Sequence, residues 1–368
     1  MTSLFFLLMP FSYITLYDVR FIVVQLVVGF ILVLKIIFER KIVLRDGSIY
    51  CFSFVLLITA IYALITGAYE SLLSLISFYF ILYCSYLITY MGGVKRVEYN
   101  KNLYVVACVF IAVGVYVQWF LEIFFGISIF RNILFGGGRH AYSFIWEDFS
   151  FASLVVVSCI PIVLSMYGRK LAIAISFLLI TATIVTSART GIVAILVFTI
   201  LKFILLSLKM LKTGKMRAHY FAIVIVSPVV LFVLFVGLPF FTGRELTIAS
   251  SGRLDGFLVG LDFFRDNFWF GAFLDKLYYG QNIAIIPHNL FLYPLIMGGV
   301  VYFSFFMAFL VVALYLARSS DGDISQSIYL CLLGFQFIPS FFSAYFFAML
   351  LGMAMASSKI NQKESRIR

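Results

Sequence analysis

Apolar stretches of roughly fifteen to thirty residues follow one another along the whole chain, from Leu4 to Ser357, with only short polar breaks between most of them. This pattern restricts the fold more than any motif does. A hydrocarbon surrounding offers the backbone no hydrogen bonds, so each stretch must satisfy its own N–H and C=O groups, and the helix is the local way to do so. A composition of 64% hydrophobic and 12% charged residues, with 44 Phe, excludes a soluble domain of 368 residues.

The sequence predicts an all-α polytopic membrane protein with spans near 3–17, 21–38, 48–66, 72–91, 103–126, 149–167, 171–187, 190–208, 219–240, 288–317, 325–338 and 342–357. That makes twelve, or eleven if the last two form one bent hairpin. Leu4–Tyr17 has neither leading basic residues nor a small-residue cleavage site, so it reads as a span and not as a signal peptide. No repeat, low-complexity segment or linker divides the chain, which is expected to form a single membrane domain over 1–368. Two longer outer loops are expected, at about 127–148 and 241–287.

Basic clusters orient the spans. Arg40/Lys41/Arg45, Lys95/Arg96/Lys101, Arg169/Lys170, Lys209/Lys212/Lys215/Arg217, Arg318 and the tail all fall on alternate connections, which the positive-inside rule assigns to the cytoplasm. Nineteen basic residues then lie inside and eight outside. The inner set, with six acidic residues, carries a net +13; the outer set, with ten, carries −2. Nothing in this distribution points to nucleic acid.

Seven of the eight outer basic residues are arginine: Arg20, Arg131, Arg139, Arg189, Arg244, Arg253 and Arg265, with Lys276 the exception. Lysine serves topology equally well, so orientation does not explain the bias. A planar fork that grips phosphate or carboxylate oxygens in pairs does. The competing reading, pairing with outer Asp and Glu, is favoured for Arg20, Arg131 and Arg265. All five cysteines fall inside expected spans, without metal-ligand spacing.

Three segments concentrate the chemistry. Arg189 sits in Thr186-Ser187-Ala188-Arg189-Thr190-Gly191, a short polar break between two spans, where a charge is costly unless it snorkels or functions. The outer loop 241–287 is too long for a structureless connection and is expected to hold helices of its own. Within it Leu254, Phe257, Leu258, Leu261 and Phe264 share one helical face, and Arg253 would stand in that helix's first turn as part of an anion site. Pro287-His288-Asn289 opens a 30-residue apolar run that is expected to break near Gly298-Gly299, with Pro287 in its first turn and neutral His288 able to take a proton. The first outer loop adds Gly136-Gly137-Gly138, Arg139 and the pair Glu147-Asp148.

Taken together, Ser187-x-Arg189-Thr190-Gly191, then Ser251-Gly252-Arg253, then His288-Asn289 with Gly298-Gly299 resemble the O-antigen polymerase and ligase superfamily, and Wzy-type polymerases in size and layout. The likeness covers about 180–305. Departures are Ala188 where the family has Ser, Gly256 where an aromatic follows Ser-Gly-Arg, and Phe268-Trp269-Phe270-Gly271-Ala272-Phe273 for the family's Pro-x-x-Gly-x-Gly. The resemblance implies a GT-C-like glycosyltransferase of the bacterial inner membrane that acts on undecaprenyl-pyrophosphate-linked oligosaccharide at the periplasmic face. On that reading Arg189 and Arg253 stabilise the leaving pyrophosphate and His288 is the base. Arg244, Arg139, Asp255, Glu147, Asp148 and Asn289 are expected to bind substrate. No cofactor is expected, since the leaving group is already activated. A flippase and a chain-length co-polymerase are the partners that the family implies, beside membrane lipid. The alternatives are a ligase that moves finished polymer to lipid A-core, and a lipid-linked oligosaccharide transporter.

Overall fold

The computed structural model describes residues 1–16, 19–40, 47–67, 69–129, 133–135, 139–146, 148–213, 253–282, 286–338 and 341–365. It is helical throughout, apart from two small antiparallel ladders. The helices are α1 (Thr2–Leu7), α2 (Ile22–Arg40), α3 (Gly47–Thr66), α4 (Tyr69–Phe125), α5 (Phe149–Ser158), α6 (Ile160–Met166), α7 (Arg169–Val185) and α8 (Arg189–Thr213). After 214–252 come α9 (Arg253–Asp266), α10 (Lys276–Asn282), α11 (Leu292–Ala317), α12 (Gly322–Gly334) and α13 (Tyr345–Ser365). The ladders pair β1 (Thr15–Leu16) with β2 (Val19–Arg20), and β3 (Ile133–Phe135) with β4 (Arg139–Ala141). Among the described residues, three helical stretches are long and apolar enough to cross a membrane: Tyr69–Phe125, Phe149–Met166 and Leu292–Ala317.

Among the described residues most expected spans meet a helix with nearly the same bounds, but the first does not; the span expected at 219–240 lies outside the described residues. Residues 2–16 form α1, a 3-10 turn over Met9–Tyr13, and β1. Pro10 has no N–H to donate and its ring crowds the preceding turn, so the α-helix stops before it. Gln25 of α2 covers this break: it accepts from Ser12 Oγ (2.8 Å) and donates to Phe5 O (3.0 Å). A buried amide with both ends bonded carries no desolvation penalty.

The chain forms two compact units. The first comprises Met1–Ala107, Ala249–Ile328 and Phe335–Arg368; the second, Cys108–Ile248 and Tyr329–Gly334.

In the first unit α4 bends sharply at Gly93 (φ 65°). Asn100 Nδ2 donates to Thr89 Oγ1 at 2.9 Å. In a straight helix those residues would stand about 16 Å apart along the axis, so the chain turns back between them. The expected polar connection 92–102 is thus reduced to a sharp turn at Gly93 with helix on either side of it. Beyond it, buried Lys101 is salt-bridged to Glu98 (2.5 Å), Asp323 (3.1 Å) and Asp321 (3.3 Å). Asp321 also takes bonds from Ser357 Oγ and Asn361 Nδ2. All four charged members of this cluster belong to the set that charge sorting assigns to the cytoplasmic side. Elsewhere α11 packs on α3 and α13, and Phe78, Phe306, Phe335, Phe341, Phe342 and Phe347 form one aromatic core. Gly352 of α13 lies against the α4 backbone at Leu82, where no Cβ would fit, so the two helices meet through a small residue, as helices in lipid do.

The expected break in the 288–317 run is present at Gly299 (φ 69°). A loop from the 241–287 segment fills it. Val300 N–H donates to Phe268 O (3.0 Å), Val301 N–H to Trp269 O (3.3 Å), and Leu274 N–H to Met297 O (2.8 Å). Tyr62 Oη donates to Gly298 O (3.0 Å), and Ser71 Oγ to Leu274 O (3.3 Å). Irregular backbone is therefore satisfied by protein at each of these groups.

In the second unit α5 and α6 form one interrupted crossing, with Pro161 just past the junction at Cys159. α5 packs against α7 and α8, and Gly334 approaches Leu154. Cys108, Cys159 and Cys331 of this unit, and Cys84 of the first, are buried and form no disulfide.

Candidate active site

Arg189 is the first residue of α8, and the turn before it is tight. Thr186 Oγ1 donates to Thr183 O (2.7 Å) and accepts from Ala188 N–H (3.2 Å), while Ser187 adopts a φ of 59°. A non-glycine residue in the left-handed region is costly and tends to sit where a site demands it. Two residues further on, Gly191 N–H donates to Ser153 Oγ of α5 (3.2 Å). A Cβ on Gly191 would lie 2.6 Å from Ser153 O, so only glycine allows this approach. Within the Ser-x-Arg-Thr-Gly motif, Ser187 thus makes the turn, Gly191 permits the packing, and Arg189 is what the two present.

Arg189 is partly buried. Among the described residues its side chain has no hydrogen bond or ion pair, and no acceptor meets the backbone N–H of Arg189 or Thr190. Free N–H groups at a helix start beside a guanidinium form an anion site by construction.

The start of α5 lies next to it, through Ser153. There the Asp148 carboxylate accepts from Ser150 N–H (2.7 Å) and Phe151 N–H (3.2 Å), the geometry of an N-cap. The resemblance implies that Asp148 binds substrate; the structure occupies one of its oxygens with the helix. Glu147 lies outside the described residues. In the segment that precedes α5, burial and then the Glu122 carboxylate push the Tyr142 phenol up to about 12, so it remains a neutral hydroxyl.

Arg253, Asp255, His288 and Asn289 belong to the first unit. Arg253 opens α9 as expected, and Asp255 follows in its first turn; their side chains lie outside the described residues, as do Arg244 altogether and the side chain of Arg139 on β4. α9 packs on α11 through its glycine edge: a Cβ on Gly260 would meet Tyr279 Oη (2.8 Å) and Ile296 Cδ1 (2.9 Å). The expected apolar stripe is divided. Leu258 and Leu261 are exposed, whereas Gly256 and Gly260 form the buried edge.

His288 does not stand in the first turn of its helix. α11 begins at Leu292, and Pro287-His288 precede it in non-helical chain. The reason is Asn289, whose Oδ1 accepts from Phe291 N–H (2.9 Å) and Leu292 N–H (3.1 Å), so that the helix starts after it. Asn289 Nδ2 donates to Gln336 Oε1 (3.0 Å), which ties the partly buried His288 segment to the turn that follows α12. Asn289 is thereby a positioning residue next to the candidate base.

The structure places Arg253 and His288 on neighbouring elements of one unit and Arg189 in the other. Ser153 and Gln336 escape a reading of the sequence, because only packing reveals a serine or glutamine that supports another residue. Among the described residues no cluster of three or more His, Cys, Asp or Glu side chains is arranged to hold a metal ion. A scan against protein-family models finds no match, and no curated protein matches the chain.

Proposed function

We propose that this chain is a polysaccharide polymerase of the O-antigen type, a GT-C-like glycosyltransferase that transfers a growing glycan from undecaprenyl pyrophosphate to the terminal sugar of a newly arrived lipid-linked repeat unit. The observation that carries the reading is Arg189, presented without a partner among the described residues at the start of α8 by a strained turn. A departing lipid pyrophosphate develops negative charge where water is scarce. Fixed donors that need no reorganisation stabilise it best, and Arg189 with the free N–H groups beside it is such a set. Arg253 would supply a second fork. His288 would take the proton of the attacking hydroxyl as the glycosidic bond forms and the bond to pyrophosphate breaks. The outer, periplasmic orientation follows from the basic clusters.

Deletion of the gene tests the choice among polymerase, ligase and transporter. A missing polymerase leaves lipopolysaccharide capped by a single repeat unit, because flipping and ligation continue. A missing ligase leaves bare core with long polymer still on its lipid carrier, and a missing flippase traps single repeats on the cytoplasmic side. Absence of the core-plus-one band overturns the polymerase assignment.

A further inference from the structure

The loop that fills the break in α11 turns three aromatic side chains outward. Phe268, Trp269 and Phe270 are 44%, 62% and 50% exposed, although their backbones bond to, or lie against, the chain at buried Gly299 and partly buried Val300 and Val301. Exposed Leu258, Val259 and Leu261 of α9, and Leu277 and Tyr278 of α10, flank them in sequence. In water such a patch would be a liability.

The helix to which the loop is bonded says what covers it. Below the break, Val300–Ala317 is uninterrupted and ends at Arg318, next to Asp321 of the Lys101 cluster. At about 1.5 Å per residue that stretch rises about 27 Å, close to the ~30 Å of a hydrocarbon core. With Arg318 at one boundary, Val300 and Val301 stand at the other. Phe268 and Trp269 are hydrogen-bonded to those two residues, so they share that depth. Tryptophan with neighbouring phenylalanines is what the headgroup–acyl boundary selects. The adjoining charges fit the same level: Asp262, Arg265 and Asp266 at the end of α9, and Asp275 and Lys276 at the start of α10, lie on either side of the aromatic turn.

We infer that Phe268-Trp269-Phe270 is a membrane wedge, seated among the upper acyl chains of the leaflet opposite Arg318, and that it moors α9 at the headgroup level. The occupant of the patch is phospholipid, and no partner protein is required. The inference rests on helix length and backbone contacts, and stands whether or not the chain is a polymerase.

Trp269 is its own probe, since the chain has three tryptophans, Trp119, Trp146 and Trp269. A Trp119→Phe/Trp146→Phe protein in lipid bilayers is titrated with phospholipids brominated near the carbonyl end or near the methyl end of the acyl chain, and with aqueous iodide. The wedge predicts loss of most emission with the carbonyl-end bromines, less with the methyl-end bromines, and little with iodide. Trp146 is buried, and if its replacement impairs folding, the difference between the wild type and Trp269→Phe reads the same signal. Efficient quenching by iodide with silent bromolipids overturns the inference, as does protection from all quenchers, which would mean a protein cover. Strongest quenching by the methyl-end bromines overturns the depth.

Discussion

Gly271 and Gly299 meet backbone to backbone. A Cβ on Gly271 would stand 2.6 Å from Gly299 N, and one on Gly299 would overlap Trp269 O. Both residues have positive φ, 59° and 69°, so neither position suits a side chain even before the clash. Gly271→Ala and Gly299→Ala should each lower stability by about 2 kcal/mol or more, seen as a drop in thermal midpoint in detergent or in reduced accumulation. Gly280→Ala is the control, because nothing lies within 4 Å of the added carbon. Equal behaviour of all three variants would mean that the loop does not fill the helix break.

The Lys101 cluster makes an asymmetric prediction. Lys101→Met strands buried Asp323 and partly buried Asp321 without their cation, and removing one partner of a buried pair costs about 3–5 kcal/mol. Asp323→Asn should cost less, since Lys101 keeps Glu98 and Asp321. Thermal unfolding of both variants in lipid nanodiscs checks the order. The reverse order would mean that Asp323 matters chiefly through its bond to the Ile324 N–H at the start of α12.

Orientation is tested by labelling. In a cysteine-free background, single cysteines replacing Gly136 or Lys276 should react with a membrane-impermeant thiol reagent from the periplasm, and cysteines replacing Arg96 or Thr213 should not. The opposite pattern reverses the orientation and moves Arg189 and His288 to the wrong side for a lipid-linked sugar.

What the sequence made legible, among the described residues, was the positions of most helices, the Gly299 break and the presence of helices inside the 241–287 loop. Hydropathy and backbone sterics act locally, so residues carry those signals on their own. The first span failed because hydropathy counts apolar side chains and is blind to the missing N–H of Pro10. The start of α11 was misplaced for a similar reason. Pro287 is a good first-turn residue, but the Asn289 side chain takes the Phe291 and Leu292 N–H groups in a turn, and the helix begins only after it. Ser153 under Gly191 in one unit and Gln336 against Asn289 in the other join residues far apart in the chain, and no periodicity encodes them.

For Arg189 the structure sharpens the expected outcome. With no partner among the described residues, its replacement should leave stability within about 0.5 kcal/mol of the wild type, as for a substitution away from packing or ion pairs. If the fork grips pyrophosphate, Arg189→Lys should nevertheless lower polymer synthesis about a hundredfold, because a point charge does not reproduce paired donors. Arg253→Lys should behave alike. Normal polymer length in both variants returns these arginines to a topological role.

His288 is the last residue whose role an experiment divides cleanly. As a general base its loss should cost about 10²–10⁴-fold in rate, so His288→Ala should accumulate normally and make almost no polymer. Asn289→Ala removes the acceptor for the Phe291 and Leu292 N–H groups and the tie to Gln336, and should impair both stability and rate. A purified enzyme that uses His288 as a base should keep working in excess chelator. A preparation that chelator stops and divalent ions restore would make His288 a ligand. Full activity of His288→Ala would transfer the proton to Asp255 or to the Glu147-Asp148 pair. Since Asp148 Oδ1 already serves the start of α5, Asp255 is then the first residue to replace.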